Sequence, residues 1–229
     1  MNAQKNTETQ APQSKADDKL DSRQALLEVA KPIFANRGYD AATVKELAEA
    51  ANVNVSLISY YFGGKEGLYR ACILNFAQSR MEAMDRILCE PKSQDEFRLR
   101  LRMFAEEMID VHLREPDLCT IIHRDIDMGQ PVATEIFKDV FFQLFLRLEN
   151  FLRHAEKIKL IGKPRRLEIT TSLVFGSLIE FLKAEKKRLL LGRDSISDKK
   201  YREDFIETWL DLLEFGLRPR PASTDRSKA

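Results

Sequence analysis

An all-α fold, a small N-terminal helical domain followed by a larger helical one with about nine helices in all, is what this sequence predicts. Three observations lead there. Apolar residues return at spacings of three and four in one segment after another, the pattern of a helix with one buried face. Glycine and proline are scarce, 9 and 8 in 229 residues, too few for a chain of short strands and tight turns. Those that occur mostly fall between the periodic segments and punctuate them.

Taken in order, the first helix starts at Ser22, where Leu26, Val29, Ala30, Ile33 and Phe34 share a face, and ends before Gly38. Pro32 lies inside it and cannot donate to the carbonyl of Glu28, which predicts a kink or a local loosening. Thr43-Val44-Lys45-Glu46 reads as a capping box and opens a second helix running to about Ala51. Asn52 tolerates the left-handed conformation of a tight turn, and a third, short helix follows from Val55 to about Phe62. Ile58 and Phe62 face inward on it, leaving Val55, Ser56, Ser59 and Tyr60 outside. Gly63-Gly64 stops that helix, and a fourth runs from Lys65 to about Leu88. Helical periodicity then recurs over about 94–114, 117–128, 132–156, 165–190 and 199–216. The predicted organisation is a disordered tail at 1–18, a small helical unit at 19–68, a larger helical domain at 69–217 and a second tail at 218–229, both tails being polar with little to bury.

Two short helices joined by a tight turn, the second with small polar and aromatic groups outward, form a helix-turn-helix that can enter a major groove. The quoted residues carry a resemblance as well. Phe34-Ala35-Asn36-Arg37-Gly38-Tyr39, Thr43, Leu47-Ala48, Ala51-Asn52-Val53-Asn54, Tyr60-Tyr61-Phe62 and Lys65-Glu66-Gly67-Leu68 resemble the DNA-binding domain of the TetR family over residues 22–68. Asn52 and Asn54 stand where that family commonly has Gly and Ser, and Ser59 where Tyr is common. The resemblance implies a sequence-specific transcriptional regulator that binds a palindromic operator as a homodimer and responds to a ligand, usually as a repressor. It also implies that the larger C-terminal domain binds the effector and dimerises. The alternative is a DNA-bound protein-interaction factor of the same fold with no small-molecule effector.

Position and resemblance together assign the residues. Val55, Ser56 and Ser59 are expected at base edges, and Thr43, Lys45, Tyr60, Tyr61 and Lys65 at phosphates. Tyr61 reads equally as core beside Phe62. Lys65 begins a helix, where a cation is unfavourable unless an anion is near, and that misfit favours a phosphate. In the larger domain Phe104, Met108, His123, Phe141, Phe145 and Phe175 are expected to line a pocket for a small apolar or amphipathic effector, though they read also as ordinary core. Leu173, Gly176, Ser177, Glu180, Phe205, Trp209, Leu212 and Leu213 are the expected dimer face, with intramolecular core as the alternative.

The remaining composition mostly excludes. A formal net charge of +1 gives no global argument for nucleic acid, so only local pattern speaks for it. Cys72, Cys89 and Cys119 form neither a disulfide framework nor a metal knuckle, which with the polar N-terminus and the lack of any run of about 18 apolar residues predicts a cytoplasmic protein with no membrane span. His123, Arg124, Asp125 and Asp127 fit no metal spacing, and neither a metal nor another cofactor is expected. No phosphate-binding glycine loop, nucleophile elbow or paired-cysteine site points to an enzyme.

Overall fold

The computed structural model describes residues 13–218, and within them the chain is helical, with eleven α-helices, one π-helical turn and no strand. The helices are α1 (Gln13–Ala41), α2 (Val44–Ala50), α3 (Ser56–Phe62), α4 (Lys65–Ile87), α5 (Gln94–Arg114), α6 (Pro116–Asp127), α7 (Pro131–Ile136), α8 (Phe142–Lys157), α9 (Leu167–Lys183), α10 (Glu185–Leu190) and α11 (Lys199–Leu217). Two of the expected nine are each a pair. The segment 132–156 is divided by the π turn Phe137–Phe141, and 165–190 breaks at Ala184, whose N–H turns back to the carbonyls of Glu180 and Leu182. None of the helices is long and apolar enough to cross a membrane.

Two further expectations are corrected in α1. It begins at Gln13, inside the stretch 1–18 expected to lack structure, because Gln, Lys and Ala favour helix even where there is nothing to bury. Residues 1–12 and 219–229 of the expected tails lie outside the described residues. Pro32 is exposed and keeps helical dihedrals, and the break falls at Gly38 (φ 82°, ψ 164°), a conformation that a side chain would strain.

The chain divides into two compact units, the first ending at Ile73 and the second starting at Leu74. The division lies beyond the expected Leu68 because the first turns of α4 belong to the first core. Leu68, Tyr69, Cys72 and Ile73 are buried there with Leu26, Leu27, Ala30, Phe34, Leu47, Ala48 and Ile58. Tyr69 meets Phe34 edge-on at 5.2 Å and Tyr39 at 5.0 Å, and each such aromatic contributes about 2 kcal/mol through burial.

In the second unit α5 is central, packed on α6, α9 and α11, while α8 packs on α9. Phe97 and Phe151 stack at 5.3 Å within a core that also holds Leu101, Phe104, Ile109, Leu148, Val174, Leu178 and Trp209. Outside that core α5 and α11 are joined by charges. Arg98 reaches Glu207 (2.6 Å), Asp211 (2.9 Å) and Glu214 (2.8 Å), Arg102 pairs with Glu203 and Glu207, and Arg202 pairs with Asp110 (2.7 Å). The Arg102 hydrogen bond holds the Glu203 carboxyl below the usual range.

Candidate nucleic-acid interface and effector cavity

The short helix α3 is fixed from both ends and from below. At its start Asn54 Oδ1 accepts from the Ser56 N–H (2.9 Å) and the Ser56 hydroxyl (2.8 Å), and Asn52 adopts the left-handed turn (φ 52°). At its end Gly63 turns left-handed (φ 74°) and donates to the Ser59 carbonyl. Ile58 is fully buried beneath it, and the Arg23 guanidinium lies 5.2 Å over the Phe62 ring. What remains outward is Val55 (49% exposed), Ser56, Ser59 and Tyr60 (66% exposed). Because the Ser56 hydroxyl proton points at Asn54, that residue can only accept from a base edge, which narrows its expected role.

Around α3, α2 offers Thr43 and Lys45. Thr43 Oγ1 accepts from the Glu46 N–H at 3.2 Å and keeps its own proton to donate. The reciprocal half of the expected capping box is replaced, since Glu46 Oε1 takes Arg37 of α1 at 2.7 Å. Lys45 is highly exposed and only loosely tied to Glu49 at 3.7 Å. Tyr61 is half-buried, edge-on to Tyr60 at 5.0 Å and to Phe62 at 6.2 Å, so it divides between the two roles considered for it.

Lys65 departs from expectation. Its ammonium donates to the carbonyls of Tyr39 (2.9 Å), Ala42 (3.0 Å) and Asp40 (3.4 Å) and lies 4.4 Å over the Tyr39 ring. The unfavourable cation at the start of α4 is thus explained by the carbonyl end of α1, which needs a donor there. With all three protons directed at carbonyls, the side chain is a clamp within the fold rather than a hand extended to phosphate. Sequence reasoning missed Gly67. A Cβ there would stand 1.6 Å from the Phe62 carbonyl oxygen, so only glycine lets the first turn of α4 pass the end of α3. Apart from its being a glycine in a helix, nothing in the sequence marks this contact.

The arrangement has relatives. Residues 26–72 match the family described as bacterial regulatory proteins, tetR family. Over those residues the chain carries a TetR-family DNA-binding domain. It is 25% identical over 139 residues to the probable HTH-type transcriptional regulator YttP of Bacillus subtilis (strain 168), covering 61% of this chain and 67% of that protein. It is 32% identical over 107 residues to the HTH-type transcriptional repressor AcnR of Corynebacterium efficiens, covering 43% of this chain and 57% of that one. The chain thus spans about two thirds or less of the length of those relatives. The fold as a whole is similar to the fatty acid degradation regulator FadR from Bacillus halodurans, with a TM-score of 0.66 at 15% identity, over 93% of this chain and all of that one.

The helix-turn-helix is followed by a helical domain, and that domain contains a cavity of about 70 Å³. Phe104, Met108, His123, Phe141 and Phe175, all expected, line it. Phe145 does not. It lies one turn beyond Phe141 and stacks on Phe142 at 6.0 Å, and Leu144 takes the wall position instead. Phe76, Arg80, His112 and Cys119 are among the wall residues that had not been expected, since they come from α4, α5 and α6 and meet only in the folded domain. Arg80 is paired with Glu107.

His112 and His123 face one another with Nε2 atoms 3.2 Å apart and rings stacked at 5.5 Å, and His112 Nδ1 is 2.7 Å from the Met108 carbonyl. Because that carbonyl can only accept, His112 carries its proton on Nδ1 and accepts at Nε2 from the His123 N–H. Burial lowers the affinity of both for a further proton, and burial together with the neighbouring His112 and Lys183 brings His123 to about 4. Burial likewise pushes the Cys119 thiol up to about 12. The other charged residues near His123 are engaged elsewhere, Arg124 with Asp125 and Asp127 with Lys183.

The expected dimer face separates into two sets. Trp209 is 5% exposed and its Nε1 donates to Ser177 Oγ at 3.0 Å, while Phe205 stacks on Phe181 at 3.9 Å, so both belong to the core that joins α9 to α11. They follow the inward phase of α11. Leu173 on α9 and Leu212 (68% exposed) on α11 stand outward, with Gly176 beside open space, and Phe215 (79% exposed), not in the expected set, stands outward with them on α11. Leu213 is half-buried, and Glu180 is exposed and paired with Lys183.

Proposed function

We propose that this chain is a ligand-responsive repressor that binds a palindromic operator as a homodimer. The observation that carries the reading is the outward set Val55, Ser59 and Tyr60 on a helix whose every other attachment is internal. Val55 offers an apolar contact to a thymine methyl, Ser59 a hydrogen bond to a base edge, and Thr43, Lys45 and Tyr60 bind the flanking phosphates. Lys65 and Gly67 position α3. So short a helix reads few bases, and a two-fold partner doubles the site.

Leu173, Leu212 and Phe215, exposed on α9 and α11 around Gly176, supply the apolar face for that partner. The effector occupies the cavity whose wall includes Phe76, Arg80 and Met84 of α4, and because α4 begins in the first unit and continues into the second, it carries the change to α3. Repression is the reading taken from the relative named as the repressor AcnR, although a similar relative is named as the activator FasR. A protein partner in place of an effector is the second reading, favoured by the strongly exposed Leu190 and Leu191 and weighed against by the cavity.

The test is DNA selection from a random duplex pool with the full chain, followed by anisotropy titrations over a range of salt. A two-fold symmetric consensus is expected, with Ser59→Tyr changing the preferred bases and Lys45→Ala lowering the salt slope by about one. Enrichment of no sequence would refute the reading.

A further inference from the structure

Three residues of the cavity wall, His112, Cys119 and His123, also line a second space. This is an outer cleft of about 430 Å³ bordered by Pro116, Thr120, Arg124, Asp127, Lys183 and Lys186. The histidine pair is therefore a partition with an apolar chamber of about 70 Å³ on one side and, on the other, a wider cleft that has charged side chains on its border. We propose that the two spaces form one site for an amphipathic anion, with its apolar chain in the chamber, its head in the cleft at Lys186, and the His112–His123 partition as the passage between them. This rests on the effector reading above and specifies the class of effector.

The inner chamber is unsuited to the charge. Its wall is apolar apart from Arg80, which is already paired with Glu107, and the two histidines, which burial keeps neutral at physiological pH. Neutral imidazoles can lie against a hydrocarbon chain but do not balance an anion.

The cleft has the charge that the chamber lacks. Arg124 is balanced by Asp125, Lys183 by Asp127 and Glu180, and Glu185 by Arg188. Counted with Lys186 these charges sum to zero, but Lys186, exposed on the cleft border, has no ion pair among the described residues, so its ammonium is free to meet an anionic head. Within the run Lys186-Lys187-Arg188, Arg188 is held over the Phe181 ring at 3.6 Å and by the Tyr201 hydroxyl at 3.0 Å, while Lys186 borders the cleft. The partition can open from one side. His112 is anchored to the Met108 carbonyl, whereas the contact between the two Nε2 atoms is what holds His123, so rotating His123 breaks a single neutral hydrogen bond.

The experiment is calorimetric titration of the full chain with sodium hexanoate, octanoate and decanoate and with 1-octanol, with DNA binding measured on the same sample. The carboxylates are expected to bind, each added methylene tightening binding about fourfold until the chamber is full. Octanol is expected to bind about tenfold more weakly than octanoate, a difference that Lys186→Glu removes and Lys187→Glu leaves intact. Ile179→Trp, which fills the chamber, is expected to abolish the chain-length dependence. Equal binding of octanol and octanoate, indifference of octanoate to Lys186→Glu, or no carboxylate binding by a chain that still binds DNA would each overturn the proposal while leaving the regulator in place. Loss of DNA selection would overturn the regulator instead.

Discussion

The two units of this chain place their working groups on opposite sides of their packing. In the first, the groups proposed to meet DNA stand outside a short helix, and the interior serves to hold that helix: Ile58 burying its inner face, Lys65 tying α4 to the end of α1, Gly67 admitting the backbone of α3. In the second, the candidate sensing groups are inside, drawn from α4, α5, α6, the π turn, α8 and α9, while the outside carries ion pairs and an apolar stripe. A surface that reads DNA can be specified by a few neighbours along the chain. A cavity that senses a small molecule needs the whole domain assembled first.

The sharpest way to test that contrast is to exchange an inward residue for an outward one on the same helix. Trp209→Ala is expected to cost about 3–5 kcal/mol of folding stability in a denaturant melt, whereas Leu212→Asp leaves the fold intact and shifts sedimentation toward monomer. If both weakened only assembly, Trp209 would belong to the interface after all. In the first unit, Gly67→Ala is expected to cost about 3 kcal/mol or more and to weaken operator binding, while Gly176→Ala, facing open space, changes stability by less than about 0.5 kcal/mol. A harmless Gly67→Ala would mean that α3 and α4 are not locked as described.

The second unit should also be the more sensitive to acid. Folding lowers the His123 pKa from 6.5 to about 4, so between those values the unfolded chain takes up a proton that the folded chain refuses. Stability is therefore full above about 6.5 and falls as pH drops toward 4, by at most about 3 kcal/mol and by less for a partly exposed ring. His123→Gln is expected to flatten that part of the pH–stability curve, and an unchanged curve would sink the assignment. Lys65→Met is expected to cost about 2 kcal/mol with no change in the salt slope of DNA binding, whereas a phosphate contact would lower the slope by about one. The smallest effect is chemical. Cys72 and Cys119 are buried with thiols pushed up to about 12, so a thiol reagent at pH 8 is expected to label exposed Cys89 alone.

What could be read beforehand follows the same division. The cap at Thr43, the turn at Asn52 and the outward phase of Val55, Ser59 and Tyr60 depend on chemistry within a few residues, and the sequence carries it. Lys65 was legible as an anomaly but not as a solution, because its carbonyl partners lie far back along the chain. Phe104, Phe141 and Phe175 of the cavity were visible as large apolar residues in helical phase. His112 and Arg80 were not, because only the packing of α4, α5 and α6 turns them to the same space. Periodicity likewise could not separate Trp209 from Leu212, since two helices packed on one side and open on the other show a wide apolar stripe in either case.

The charged seam between α5 and α11 has a consequence for how the second unit can respond. Because Arg98 and Arg102 grip carboxylates on successive turns of α11, from Glu203 to Glu214, sliding one helix along the other would break several pairs at once. The two helices are therefore coupled against shear. Any displacement that an occupant imposes on Phe104, Met108 or His112 of α5 should be delivered nearly undiminished to Leu212 and Phe215 on α11. Concentrated salt, by shielding that seam, should make the transmission slack before it unfolds anything.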